Sequence, residues 1–181
     1  MARRSCFESW GADPAERSQA YPCDRLVAEP DLILYRAVTV QAPPPVVFRW
    51  LCQLRVAPYS YDWLDNGGRR SPRQLVPGLE HLAVGQRFKS IFTLTDFEPD
   101  RHITLQTDHR LFGAVAITYR VGAHPDGARL VAKLLQRNRP TLVSTAVGWL
   151  LPLGDLIMMR KQLRTLGALA ERAAPHPVSS R

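Results

Sequence analysis

The sequence predicts an α+β fold: a curved antiparallel β-sheet wrapped around one long C-terminal helix, with two short helices after the first strand. Three observations carry this. Four β-like runs follow one another between Gln86 and Arg137, joined by short, turn-rich connections. One long segment of helical spacing, Pro152 to Ala173, comes after them. A single alternating run, Asp31 to Gln41, stands well ahead, followed by an aromatic, polar stretch from Ala57 to Asn66. A sheet with one helix laid across its concave face encloses space between two layers, and such space suits apolar small molecules.

Each element has its own signal. Residues 1–30 mix Arg, Ser, Pro, Asp and Glu with isolated aromatics. They read as an irregular N-terminal arm holding a short helix at Asp13–Ala20, which Asp13 caps and Pro14 begins. In the first strand Leu32, Leu34, Arg36, Val38 and Val40 alternate with Ile33, Tyr35, Ala37 and Thr39. Prolines 43 to 45 end it and open a helix in which Val46, Val47, Trp50, Leu51 and Leu54 keep helical spacing. A second short helix around Ser60–Asp65 ends at Asn66-Gly67-Gly68. The Pro- and Gly-rich loop 69–85 then turns Leu75, Leu79 and Leu82 inward. The strand candidates are Gln86–Glu98, Arg101–Arg110, Ala114–Val121 and Ala128–Arg137, with Ala123–Gly127 as a turn. In the last helix Leu153, Leu156, Ile157, Leu163, Leu166 and Ala170 share a face, with Arg160 and Arg164 near its edge. The expected organisation is an arm (1–30), one folded domain (31–174) and a disordered tail (175–181).

Composition narrows the function classes. The chain of 181 residues, 45% hydrophobic and 22% charged, has the length of a single domain able to bury a core unaided. Cys6, Cys23 and Cys52 are odd in number and have no metal-ligand spacing, so neither a disulfide framework nor a metal site is expected. With no secretory pattern before Pro30, the expected location is cytoplasmic. The net charge of +8 comes mostly from scattered arginines without a dense basic run, which argues against nucleic acid as partner. Thr141–Met159 is apolar, but Gly148, Pro152, Gly154 and Asp155 interrupt it, so no integral membrane segment is expected. The absence of a nucleophile elbow, P-loop, dinucleotide fingerprint or metal cluster disfavours hydrolases, kinases, NAD enzymes and zinc enzymes, and no cofactor is expected.

Several segments carry a family resemblance: Pro22-Cys23-Asp24, the run Arg36 to Pro44, Trp50-Leu51, Tyr59 to Asn66, Val84-Gly85, and Met159-Arg160-Lys161-Gln162-Leu163 on to Glu171. With them, the chain resembles the START-like, polyketide cyclase-like (SRPBCC) superfamily over residues 31 to 173, in particular a bacterial branch of it. The resemblance implies the helix-grip fold and a cavity between sheet and C-terminal helix, with Tyr59–Asn66 at its mouth. It does not imply a reaction, because the superfamily holds catalysts and carriers alike.

Candidate residues follow from facing and chemistry. Tyr59, Tyr61 and Trp63 offer aromatic bodies with polar tips, and Asn66 an amide, which orient an apolar ligand at a wet–dry boundary; the alternative is that the aromatics pack the second helix. Asp62 either joins them or bonds a nearby arginine. His109 falls on the apolar side of its strand, with Ile103, Leu105 and Thr107, where a histidine serves as general acid or base or sits at the rim. Tyr119, if inward, can donate a proton or stabilise an enolate; otherwise it packs. Phe92 is expected as cavity wall, and Trp149 and Met159 as a soft lining or core filler.

Three functions fit. The first is binding of a hydrophobic or aromatic, lipid- or polyketide-like small molecule. The second is a polyketide cyclase or dehydratase using His109, Tyr119 or Asp62 for proton transfer. The third is a peripheral membrane or partner-binding module using the basic helix and the Trp149 region. Ligand identity, catalytic competence and oligomeric state are left open by the residues.

Overall fold

Alternation at period two builds the sheet, and its register sorts the side chains into two layers. The computed structural model describes residues 9–65, 67–89, 91–109, 113–137 and 150–174, with backbone alone for Leu64, Asp65, His109 and residues 150–156. Its elements are β1 (Ser9–Trp10), α1 (Pro14–Ser18), β2 (Leu32–Val40), α2 (Pro44–Cys52), α3 (Asp62–Asp65), β3 (Arg87–Phe88), β4 (Phe92–Glu98), β5 (His102–His109), β6 (Gly113–His124), β7 (Gly127–Arg137) and α4 (Leu150–Ala173). The described strands form one seven-stranded sheet in the order β1-β2-β7-β6-β5-β4-β3. From β3 to β7 it is an antiparallel meander, and β2 returns to pair antiparallel with β7.

The sheet departs from the expected pattern in three places. It is mixed, because Ser9–Trp10 runs parallel to β2 at the edge; two residues carry no periodicity that a sequence could reveal. The expected strand Gln86–Glu98 folds back on itself, with Phe88 paired to Phe92. The bend lies just after Phe88, where Lys89 takes a left-handed φ of 47°. The expected turn Ala123–Gly127 shrinks to Pro125-Asp126, since His124 pairs directly with Gly127.

The inner face carries Leu34, Val40, Leu94, Ile103, Leu105, Ile117, Tyr119, Leu130 and Leu134, packed against α2 and α4. On α2, Val47, Phe48, Trp50 and Leu51 are buried; Leu75, Leu79 and Leu82 of the long loop pack on the same core. On α4, Met159, Leu163, Leu166 and Ala170 face the sheet, and Gly167 lets the helix approach Val40 closely. Ile157 does not share that face: it is 46% exposed. Six residues before Leu163, it lies about a third of a turn away, in line with Lys161, Arg164 and Ala168 at i+4, i+7 and i+11.

The outer face has its own covering. Tyr21, Cys23 and Val27 from the N-terminal segment pack on Ala37, Ala116, Val131 and Leu135. Asp13 and Glu16 close a capping box on α1. Glu16 then grips Arg129 with two hydrogen bonds, from Nε at 2.6 Å and from Nη2 at 3.0 Å. Lys133 reaches Asp24 at 2.6 Å between the rings of Tyr21 and Tyr35. Burial alone would depress the Lys133 ammonium, but Asp24 and Tyr35 outweigh it and hold its pKa above the usual lysine range.

Candidate functional site

The polar groups of the inner layer gather where β6, α2 and α4 meet. Tyr119 is buried on the inner face of β6, and its hydroxyl donates to Gln162 Oε1 on α4 at 2.7 Å. Gln162 Nε2 in turn donates to the carbonyl of Pro58 at 2.7 Å, so one side chain ties sheet, helix and the loop after α2 together. Met159 Sδ lies 3.7 Å from the same hydroxyl.

Cross-strand register puts Arg36 of β2 opposite Ala132 of β7, and Ala132 opposite Tyr119 of β6. Arg36 and Tyr119 therefore stand two strands apart, about 10 Å, on the same face with only a methyl group between them. Arg36 is 1% exposed and donates through Nη1 to the Tyr35 carbonyl. Arginine is almost never this deeply buried unless its guanidinium is paired.

Trp50 and Tyr59 complete the layer. Both are buried in the inner core, in an edge-to-face contact with ring centroids 6.1 Å apart. Neither Trp50 Nε1 nor the Tyr59 hydroxyl has a hydrogen-bond partner among the described residues. Burial, with a smaller contribution from Asp62, pushes the Tyr59 phenol up to about 12. Tyr59 holds a left-handed φ of 56°, an unusual conformation for a large side chain. The turn is held by Ser71, whose Oγ accepts from the Tyr59 N–H at 3.3 Å. The Ser71 N–H and hydroxyl both donate to the Asp62 carboxylate.

The candidate residues from the sequence thus separate. Tyr59, Tyr119 and Met159 belong to the inner layer, and Phe92 packs at its margin. Asp62 bonds Ser71 and supports the Tyr59 turn. Tyr61 is half-buried on the outer side, with the Lys161 ammonium 3.8 Å over its ring. Trp63 is 74% exposed and lines a surface groove. Tyr59 turns inward at its left-handed φ while Trp63 faces water, so Tyr59–Trp63 do not all face one space. His109 ends β5 opposite Gly113, and its side chain lies outside the described residues, as do Asn66 and Trp149. Among the described residues no group of His, Cys, Asp and Glu could hold a metal ion, and no helix is long and apolar enough to cross a membrane.

Three further residues lie in or beside the inner layer without being among the candidates from the sequence: Arg36, Trp50 and Gln162. Arg36 had a signal, a charge in the third position of the otherwise apolar row Leu32, Leu34, Val38, Val40. Trp50 read as helix packing, and Gln162 lies on the flank of α4, where a polar residue draws no notice.

Among solved structures, the chain is similar to the Zhui aromatase/cyclase from Streptomyces sp. R1128 (TM-score 0.52, 17% identity, covering 77% of this chain and 93% of that one). Protein CV1439 from Chromobacterium violaceum matches with TM-score 0.52 and 14% identity over 77% of this chain and 97% of that one. TTHA0849 from Thermus thermophilus matches with TM-score 0.51 and 12% identity over 79% of this chain and 99% of that one. No protein-family model matches the chain, and no curated protein matches it. The seven-stranded mixed sheet, the helices inserted after β2 and the long closing helix give this chain a helix-grip fold, which it shares with these solved structures.

Proposed function

We propose that the chain holds one hydrophobic or aromatic small molecule, of lipid or polyketide type, between the sheet and the C-terminal helix. The observation that supports this is the pair of buried, unpartnered donors, Trp50 Nε1 and the Tyr59 hydroxyl, inside an apolar layer. A buried donor left unsatisfied costs about 1–3 kcal/mol, and an acceptor on an otherwise apolar guest recovers it. Arg36 and Tyr119 add charge and a hydroxyl on the same layer, so the preferred guest carries at least one carbonyl or hydroxyl oxygen. Met159 supplies a flexible wall that adapts to its shape.

A second reading, a cyclase or dehydratase, draws on Tyr119. Gln162 fixes the orientation of its hydroxyl, and the similarly folded Zhui protein is named an aromatase/cyclase. Ring closure of a poly-β-ketone needs little beyond a dry, shaped pocket and a placed proton carrier. Of the two proton-transfer candidates whose side chains are described, Asp62 is engaged with Ser71, and Tyr119 is the one favoured here.

Paired probes test the binding reading. 2-Naphthol is expected to bind one per chain and more tightly than naphthalene, and the difference should shrink in Tyr59→Phe. Native mass spectrometry of the purified protein should show a copurified organic mass. If neither aromatic binds and no mass accompanies the chain, the reading fails.

A further inference from the structure

The solvent side of α4 carries a second feature, separate from the inner layer. An open groove of about 560 Å³ runs between this helix and the loop that follows α3. Five cations line it: Arg160, Lys161, Arg164 and Arg172 from the helix, and Arg73 from the loop. No carboxylate lines it, and none of the five makes an ion pair among the described residues. Other cations of the chain are differently placed: Arg101 meets Glu98, Arg129 meets Glu16 and Lys133 meets Asp24.

What does contact the groove cations is aromatic. The Arg160 and Arg164 guanidinium carbons lie 4.9 and 5.2 Å from the Trp10 ring, and Lys161 sits 3.8 Å over Tyr61. Ring faces orient a cation without neutralising it. Gathering like charges in one concave place raises the local potential and favours an anion there. The floor is apolar: Ile157 and Leu169 line the groove, and Ile157 is the residue that breaks the core pattern of α4. A contiguous groove of about 350 Å³ shares Arg73 and Lys161 and adds Arg70 and the exposed ring of Trp63. Its one carboxylate, Asp62, is already bonded to Ser71.

We propose that this groove binds a phosphate-bearing amphiphile, its head among the five cations and its alkyl or aryl part along Ile157 and Leu169. A monocarboxylate would neutralise one of the cations. A phosphate carries up to two charges and three acceptor oxygens that match guanidinium forks, so it uses the row more fully. Of the inner layer, Arg36, Trp50 and Tyr119 line neither groove, while Tyr59 and Leu169 lie at the boundary between the two sites.

The test uses octyl phosphate and octanol titrated calorimetrically into the full chain, alongside vesicles of phosphatidylglycerol or phosphatidylcholine. Arg73→Gln/Arg164→Gln alters exposed side chains only, so thermal unfolding should match the parent. Octyl phosphate is expected to bind one per chain, to weaken with added salt, and to bind the variant more than about tenfold less tightly. Octanol should bind parent and variant alike, and so should 2-naphthol, which reports the inner layer; that separates failure here from failure of the small-molecule reading. Binding of the free amphiphile assigns a soluble ligand. Sedimentation with phosphatidylglycerol vesicles alone, lost in the variant, assigns the same phosphate chemistry to a lipid headgroup. Equal binding of octyl phosphate by parent and variant, or binding of neither octyl phosphate nor anionic vesicles, overturns the proposal.

Discussion

Gln162 is the residue on which sheet, helix and the loop after α2 converge, so its removal gives the sharpest test of how the inner layer is held. Gln162→Leu keeps the approximate volume and removes both 2.7 Å hydrogen bonds, one from Tyr119 and one to Pro58. Each bond contributes about 0.5–1.5 kcal/mol net, and burying a carbonyl or hydroxyl without its partner costs about 1–3 kcal/mol. The expected loss is about 2–4 kcal/mol. With a urea m-value of roughly 2 kcal/mol/M, the unfolding midpoint falls by about 1–2 M with m unchanged. The attribution to this pair comes from a cycle with Tyr119→Phe. If the Tyr119–Gln162 bond is the common element, the double variant loses less than the sum of the singles, by about 1 kcal/mol. Additivity within about 0.5 kcal/mol would show that the two side chains act separately, and the three-way tie would have to be abandoned.

Two further outcomes follow from the outer layer and from the buried phenols. Glu16→Ala removes both the Arg129 grip and the Glu16 half of the capping box, its bond from the Asp13 N–H; we expect about 2 kcal/mol of destabilisation, and faster tryptic cleavage after Arg17 and Arg25 in otherwise native protein. Burial raises both Tyr21 and Tyr59 to about 12, so absorbance titration at 295 nm should show at least two of the five tyrosines withholding phenolate past pH 10. In that window the unfolded chain has lost protons that the folded chain keeps, so stability from these groups is full below pH 10 and falls between pH 10 and 12.

The architecture was legible because it rests on long-range repetition of short signals. Period-two alternation located β2, β5, β6 and β7 within a few residues, and the Pro-started run gave α2. The misplaced details are those decided by one or two residues. A left-handed Lys89 splits a strand, a two-residue strand at Trp10 finds β2, and Ile157 turns away although its neighbours suggest core. Tertiary contact settles each of these, and no window of sequence contains it. The polar aromatic stretch was recognised as unusual, but its internal division was not. Tyr59 turns inward because Ser71, twelve residues on, anchors its backbone, while Trp63 faces water.

The same physics explains why the inner site was harder to read than the fold. A packed core tolerates many apolar exchanges, so its members announce themselves by pattern. The inner layer departs from that pattern only at single positions: Arg36 in an apolar row, Tyr119 between Thr118 and Arg120, Gln162 on a helix flank. Each is ordinary alone. Register brings Arg36 and Tyr119 to the two sides of Ala132, and α4 lays Gln162 against the hydroxyl of Tyr119. A larger residue at position 132 would stand between the guanidinium and the phenol. The smallness of that alanine, unremarkable in the sequence, leaves a single methyl between the two groups, as the proposed guest site requires.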